Sequence, residues 1–325
     1  MEYKGNKVLI FPDYTNEVMS QRRAFRDVMK ALRDGGVKHH LRYPARLHVY
    51  WDEEENIPEV FNDPAAAEAA RSSKECSAPA DGKMHVGGRD LQLISWNVKG
   101  LGSAVKRGKV FKHLKSLSAD IIFLQETHIK TAMQHKLKCN WVSQIYQSPF
   151  TSHARGVAIL FRKNIPFQVT SVNNDPLGRY LLVSGTINSF SLTLLNIYGP
   201  NTDEPNFFRK VFDLLPDDSD SNIIIAGNFN CYLDPFLDRL STRPAPEIAS
   251  VKLLNNLLKT RSLVDIWRIQ HPTSKEYSFY SNVHKSYSRI DYFLTSSNLI
   301  SQITNSKYHN ILISDHSPLV ISLNI

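Results

Sequence analysis

The sequence predicts an α/β protein: a four-layer sandwich of two facing sheets with helices outside, preceded by a small α+β domain. Three observations carry this. From Leu91 onward the chain is a succession of short apolar runs of strand length, with a few stretches of helical period between them. Residues 1–50 hold a separate strand–helix–strand pattern. An acidic, Ala-rich stretch follows and ends in a segment without period, which sets the domains at 1–70 and 89–325 with a linker at 71–88.

In the small domain, Lys7-Val-Leu-Ile-Phe11 reads as a strand stopped by Pro12-Asp13. From about Asn16 to Arg33, Val18, Phe25, Val28, Met29 and Leu32 recur at helical spacing, and Gly35-Gly36 ends that helix. Arg22, Arg23, Arg26, Lys30 and Arg33 occupy its other faces. The segment Lys38–Trp51 is extended, alternates basic and apolar residues, carries Arg46 and is interrupted by Pro44. Pro64–Ala70 suits a short helix, and Arg71–Met84 reads as linker.

The strands of the large domain are read at Leu91–Trp96, Ile121–Leu124, Val157–Phe161, Tyr180–Val183, Leu192–Ile197, Ile223–Ala226, Ile290–Leu294 and Leu319–Leu323. Helices are read at Val105–Leu117 and Ile248–Leu258. No run approaches eighteen uninterrupted apolar residues, so a membrane span is not expected. The N-terminus lacks an apolar signal core, and Cys76, Cys139 and Cys231 are odd in number and far apart. An intracellular location, nuclear or cytoplasmic and not secreted, follows as the expectation. The net charge of +8 invites a polyanion, and its distribution sharpens the point. Residues 1–50 hold ten Lys/Arg against five Asp/Glu, residues 51–88 three against nine, and residues 89–325 twenty-six against seventeen. A basic head and a basic body thus flank an acidic stretch, and each could follow a phosphate backbone.

Chemistry gathers where the strands stop. The runs end at Asn97, at Gln125-Glu126, at Tyr198 and at Gly227-Asn228-Phe229-Asn230, Asp291 lies in the next-to-last, and Asp315-His316 precedes the final one. Polar residues at strand termini collect on one rim of a sheet, where loops open a cleft. Carboxylates and amides with one His and one Tyr suit divalent-metal phosphoester chemistry: hard oxygens hold Mg²⁺, with Mn²⁺ as a substitute, and the His serves as base or phosphate partner. Asp291 inside an apolar run needs a partner, because a half-buried carboxylate is costly alone.

The motifs Ser95-Trp-Asn-Val-Lys-Gly-Leu101, Leu124-Gln-Glu-Thr-His128, Leu195-Asn-Ile-Tyr-Gly-Pro-Asn201, Gly227-Asn-Phe-Asn230, Ser288-Arg-Ile-Asp291 and Ser314-Asp-His-Ser317 resemble the endonuclease/exonuclease/phosphatase superfamily, which includes DNase I and the apurinic endonucleases. His271–Phe279, the run to Asp291 and Leu237–Ser241 resemble, within it, the endonuclease of LINE-type retrotransposons. Val8–Thr15, Gln21–Phe25 and Leu41–Leu47 resemble the C-terminal domain of the first-open-reading-frame protein of the same elements, a binder of single-stranded nucleic acid. The resemblance implies a DNase I-like fold and Mg²⁺-dependent nicking of DNA that leaves a 3′-hydroxyl. It implies Glu126, Asn97 and Asp315 as metal ligands, and His316, Tyr198, Asn228, Asn230 and Asp291 as catalytic. Ser278 and Arg239 would contact DNA, and Arg22, Arg23, Arg26 and Arg46 single-stranded RNA. The family's coiled coil is not seen, so oligomerisation is not expected, and no membrane partner is.

One position departs from the pattern. The superfamily element is Gly-Asp-x-Asn, and here Asn228 stands in place of the Asp. An amide has the shape of the carboxylate but neither its charge nor its basicity, so catalysis is expected to be impaired. Two other readings remain: a non-catalytic nucleic-acid-binding remnant, and another phosphodiesterase of the superfamily, apurinic endonuclease-like.

Overall fold

The computed structural model describes residues 2–3, 6–7, 20–21, 23–34, 38–42, 45–50, 59–75, 90–217, 221–240, 248–283 and 285–325. The chain divides into two units, residues 1–87 and 88–325.

In the first unit, β1 (Glu2–Tyr3) and β2 (Asn6–Lys7) pair antiparallel. Helix α1 (Arg26–Asp34) is followed by β3 (Lys38–Arg42), β4 (Arg46–Tyr50) and β5 (Glu59–Phe61), which form one antiparallel sheet, and by α2 (Pro64–Glu75). The period predicted for the helix holds: Phe25, Val28 and Leu32 are buried with Leu47, Val49, Phe61 and Ala67 in one core. The Asp63 carboxylate accepts the backbone N–H groups of Ala65 and Ala66, which caps α2. That helix runs on through Glu75, five residues into the segment read as linker. Residues 8–19 of the predicted first strand and helix start, with Gly35-Gly36, lie outside the described residues.

The second unit contains β6 (Leu91–Asn97), α3 (Ala104–Ser116), β7 (Ile121–Gln125), β8 (Val142–Ser148), β9 (Val157–Arg162), β10 (Phe167–Asn174), β11 (Tyr180–Ile187) and β12 (Phe190–Tyr198). It continues with α4 (Pro205–Phe212), β13 (Ile223–Asn228), β14 (Arg239–Leu240), α5 (Ala249–Thr260), β15 (Leu263–Asp265) and α6 (Ile266–Gln270). Last come β16 (Phe279–Ser281), β17 (Ser286–Ser288), β18 (Asp291–Ser296), β19 (Ile303–Tyr308) and β20 (Leu319–Leu323). Two six-stranded sheets result, in the orders β19-β20-β6-β7-β9-β8 and β10-β11-β12-β13-β18-β15, with a small sheet β14-β17-β16 beside them.

Strand period places the polar residues. In the first large sheet, Ile94, Trp96, Ile122 and Leu124 pack outward with Val110, Phe111 and Leu114 of α3. In the second, Leu195, Ile197, Ile225, Tyr292 and Leu294 pack outward with Phe208 and Phe212 of α4 and Leu254 of α5. Successive side chains alternate faces, so Asn97, Gln125, Asn196, Tyr198, Asn228 and Asp291 share the inner faces, where the sheets meet. There Phe123 meets Phe293 edge to face at 5.8 Å, and Gln125 Nε2 donates to Asn196 Oδ1 at 2.8 Å across the gap. This gives the predicted four layers: helix, sheet, sheet, helices.

The central strands also bring their ends level. β6 pairs parallel with β7 so that Asn97 lies opposite Gln125, and β12 pairs parallel with β13 so that Tyr198 lies opposite Asn228. β18 returns antiparallel with Asp291 opposite Asn228. Close approach at this rim explains Gly227: its φ is +147°, and a Cβ there would stand 2.0 Å from the Ile197 carbonyl oxygen.

Candidate active site

At that rim opens a cavity of about 570 Å³ lined by Lys99, Glu126, Tyr198, Asn230, Arg239, Asp315 and His316, with Tyr232, Phe279 and Val283 on its sides. Glu126 follows β7 in the left-handed region, φ 50°, which turns its side chain out of the strand's alternation. Its Oε1 accepts from Asn97 Nδ2 at 2.9 Å, its Oε2 lies 3.3 Å from His128 Nε2, and the Tyr198 hydroxyl also bonds to it. Burial opposes ionisation, yet the bonds from His128, Asn97 and Tyr198 outweigh it and draw the carboxyl down to about 2. Tyr198 shows the converse: burial and the Glu126 charge push its hydroxyl far up, so it remains a neutral donor.

His316 is buried, with Nδ1 at 2.8 Å from Asp291 Oδ2 and Nε2 at 3.4 Å from Asn97 Nδ2. Burial alone would lower its pKa, but the Asp291 carboxylate, by charge and hydrogen bond, raises it above the ordinary histidine value. The Asp291 carboxylate thus favours the protonated form of the ring. The ring packs on Phe279 at 4.7 Å, and Trp96 Nε1 donates to the His316 carbonyl at 3.0 Å. Asn230 donates from Nδ2 to the Gly199 carbonyl and to Asn201 Oδ1, both at 2.8 Å, and its N–H donates to Asn228 Oδ1 at 2.8 Å. With its oxygen engaged there, the buried Asn228 has an amide NH₂, a donor, as its other terminus.

Residues 94–316 match the family model described as the Endonuclease/Exonuclease/phosphatase family. The chain belongs to this family. A curated relative, the "Transposon TX1 uncharacterized 149 kDa protein" of Xenopus laevis, is 28% identical over 240 residues, which cover 72% of this chain and 18% of that protein. The chain thus spans less than a fifth of that relative's length. In addition, 61 residues, 19% of the chain, are 41% identical to the LINE-1 retrotransposable element ORF1 protein of Mus musculus, of which they cover 16%. Among solved structures, an AP endonuclease of Leishmania major superposes with a TM-score of 0.60 at 18% identity, covering 73% of this chain and 88% of that one. The sandwich is the fold of that group.

Of the residues singled out from the sequence, Glu126, Tyr198, Asn230, Asp315, His316 and Arg239 line this cavity, while Asn97, Asn228 and Asp291 lie buried behind the lining, bonded to Glu126, Asn230 and His316. Ser278 is a correction. It is wholly buried, and its hydroxyl accepts the backbone N–H groups of Ile290 and Asp291 at 3.0 and 3.1 Å. It props the start of β18 and through it the dyad, in place of the expected contact with nucleic acid. Asn97 also differs from a simple ligand: its Oδ1 accepts the Lys99 N–H at 3.1 Å while its amide orients Glu126. Arg23, Arg26 and Arg46 are exposed on the first unit, and Arg22 lies outside the described residues.

Three neighbours carry no site role in the sequence motifs, although Lys99 and His128 stand within them: Lys99, whose Nζ lies 2.5 Å from Asp315 Oδ2, Lys106, whose Nζ donates to the Lys99 carbonyl at 2.7 Å, and His128. The signal was Lys99's place two residues after Asn97. The donor set of Glu126 and Asp315 has the hard-oxygen chemistry that Mg²⁺ takes, and Glu126 stays ionised to offer it. Among the described residues no group of three or more His, Cys, Asp and Glu side chains stands ready around one point. An ion held by two carboxylates would complete its shell with water or phosphate, as Mg²⁺ commonly does.

Proposed function

We propose that the second unit binds DNA in this cleft and hydrolyses a phosphodiester bond to leave a 3′-hydroxyl, at a rate impaired by Asn228. The observation that carries the reading is the convergence of Glu126, Tyr198, Asn230, Asp315 and the His316–Asp291 dyad on one cavity. Glu126 and Asp315 would hold Mg²⁺ or Mn²⁺, and the bound ion would supply charge neutralisation at the scissile phosphate. The other roles belong to the chain. His316, whose protonated form Asp291 favours, donates to a phosphate oxygen or to the departing 3′ oxygen. Tyr198, kept neutral, turns its one O–H from Glu126 to the charge that grows on phosphorus-bound oxygens, and Asn230, both of whose amide hydrogens are held by Gly199 and Asn201, fixes the wall beside it. Arg239 supports the DNA backbone at the mouth.

The weak step is removal of a proton from the attacking water. A carboxylate at position 228 would accept it, whereas the Asn228 amide cannot. Loss of a general base of this kind costs about 10²–10⁴-fold in rate. Purified chain and its Asn228→Asp variant, incubated with supercoiled plasmid in Mg²⁺, should differ by at least about a hundredfold in nicking. Equal rates would remove this account of position 228.

A second reading is favoured by the same residue: a cleft that binds nucleic acid without cutting it. Nicking by neither chain, with plasmid retained on the protein, would establish it. The likeness to AP endonucleases makes an abasic-site duplex the comparison substrate in the same assay.

A further inference from the structure

Lys99 occupies a position that is built. Its backbone is left-handed, φ 46°, directly beyond the end of β6. Three hydrogen bonds pin the turn: Asn97 Oδ1 accepts the Lys99 N–H, the Gly100 N–H donates to the Glu126 carbonyl at 2.7 Å, and the Lys99 carbonyl accepts from Lys106 Nζ. The turn is thus tied to the strand end that carries Asn97, to the backbone of Glu126 and to the first turn of α3. From it the Lys99 ammonium reaches Asp315 Oδ2 at 2.5 Å, inside the cavity that Glu126 also lines. Lys106 experiences the charges of Asp315 and Glu126 as well. Two ammonium groups therefore attend the two carboxylates of the cleft.

A hard divalent ion needs carboxylate oxygens. To take Asp315 Oδ2 it must displace the Lys99 ammonium, and because the turn is pinned, the side chain that carries the displaced charge stays rooted beside the cleft. The ion pair is solvent-exposed, so breaking it costs little. The larger penalty is repulsion between the ammonium and the doubly charged ion, which a nearby like charge imposes even under strong solvent screening.

We propose that Lys99 is a resident cation of the cleft that competes with a divalent metal ion for Asp315 and so holds metal affinity down. This rests on the reading of Glu126 and Asp315 as metal-binding. No assigned role of the site uses Lys99, and the competition is a property of this chain's turn.

Mn²⁺ binding to the full chain, followed by the electron-paramagnetic-resonance signal of the free ion and by calorimetry, tests the proposal without activity. Lys99→Asn suits the left-handed backbone, since Asn tolerates positive φ. Lys99→Gln, which keeps more of the side chain's length, is the second variant should the first fold poorly, with circular dichroism as the check. Removing the ammonium should tighten Mn²⁺ binding about tenfold, the scale of one like charge at close range under strong screening. In an Asp315→Asn background the same substitution should give a much smaller gain, because the contested oxygen has lost its charge. Measurable but equal affinities in the parent and both Lys99 variants would overturn the competition while leaving the metal site standing. Absence of Mn²⁺ binding in every chain would overturn both.

Discussion

At His316 a neighbouring carboxylate works against burial. The ring is buried, which favours the neutral form, and the Asp291 carboxylate at 2.8 Å reverses that preference. The consequence for stability has a definite sign. A histidine whose pKa is raised on folding stabilises the fold fully below about 6.5, its unfolded value, and that contribution is lost as pH rises through the folded value. In Asp291→Asn the desolvation remains and the carboxylate does not, so the His316 titration followed by NMR should move from above 6.5 to below it. A midpoint that stays above 6.5 in the variant would show that Asp291 is not the cause. Glu126 has the opposite sign. Its carboxyl is drawn from 4.5 to about 2, so its stabilisation is present above 4.5 and is lost as pH falls toward 2. Urea unfolding of Glu126→Gln between pH 5 and pH 2 should therefore lose less stability than the parent. An acid limb as steep as the parent's would place the titrating contribution on another group.

At the scale of strands and helices, what the sequence made legible follows from burial. The eight strands read from apolar runs are β6, β7, β9, β11, β12, β13, β18 and β20, and these are the interior strands of the two large sheets. Buried on both faces, they are apolar nearly throughout, as Ile121–Gln125 illustrates. The four edge strands, β8, β10, β15 and β19, went unread. β10 is exposed at every residue after Phe167, and β19 buries alternate stretches with Ser306 among them, so neither offers an apolar run. The site was legible for the same reason, since interior strands end at the rim and their terminal residues announce it. What local sequence could not reveal is where a side chain's partner lies. The Ser278 hydroxyl is claimed by backbone thirteen residues away, and the Lys99 partner, Asp315, lies more than two hundred residues on. The Asp238 network escaped likewise: its buried carboxylate accepts from Arg289 Nε at 2.8 Å and Nη2 at 3.0 Å and from Arg268 at 2.6 Å. Because Asp238 precedes β14 and Arg289 follows β17, this network ties the small sheet, and Arg239 with it, to the start of β18. Breaking a buried ion pair from one side leaves an uncompensated charge at a cost of about 3–5 kcal/mol. Asp238→Ala should lose about that much in urea unfolding and should weaken DNA binding through a loosened Arg239. A loss below 1 kcal/mol would mean that Asp265, which also bonds Arg289, carries the charge alone.

Across the whole chain, charge is segregated in a way that its net value conceals. Residues 1–50 and 89–325 are each basic, and the acidic balance is concentrated between them. This matches a chain of two compact units, the second of which holds the match to the Endonuclease/Exonuclease/phosphatase family. If the first unit binds single-stranded RNA through its own cations, affinity should depend on salt through the counterions those cations release. Each phosphate neutralised on a single strand contributes about −0.7 to the slope of log K against log salt. Arg23, Arg26 and Arg46 are exposed and distinct from the core of Phe25, Val28, Leu32, Leu47 and Val49, so their removal should leave the fold intact. A full-length Arg23→Ala, Arg26→Ala, Arg46→Ala variant should bind a single-stranded RNA more weakly and with a slope shallower by about 2. Its plasmid nicking, measured in the Asn228→Asp background, should not change, because the cleft's residues all belong to the second unit. An unaltered slope would remove these arginines from the RNA surface. A parallel loss of nicking would show that the two units hold nucleic acid jointly, and that the basic head serves the cleft's own substrate.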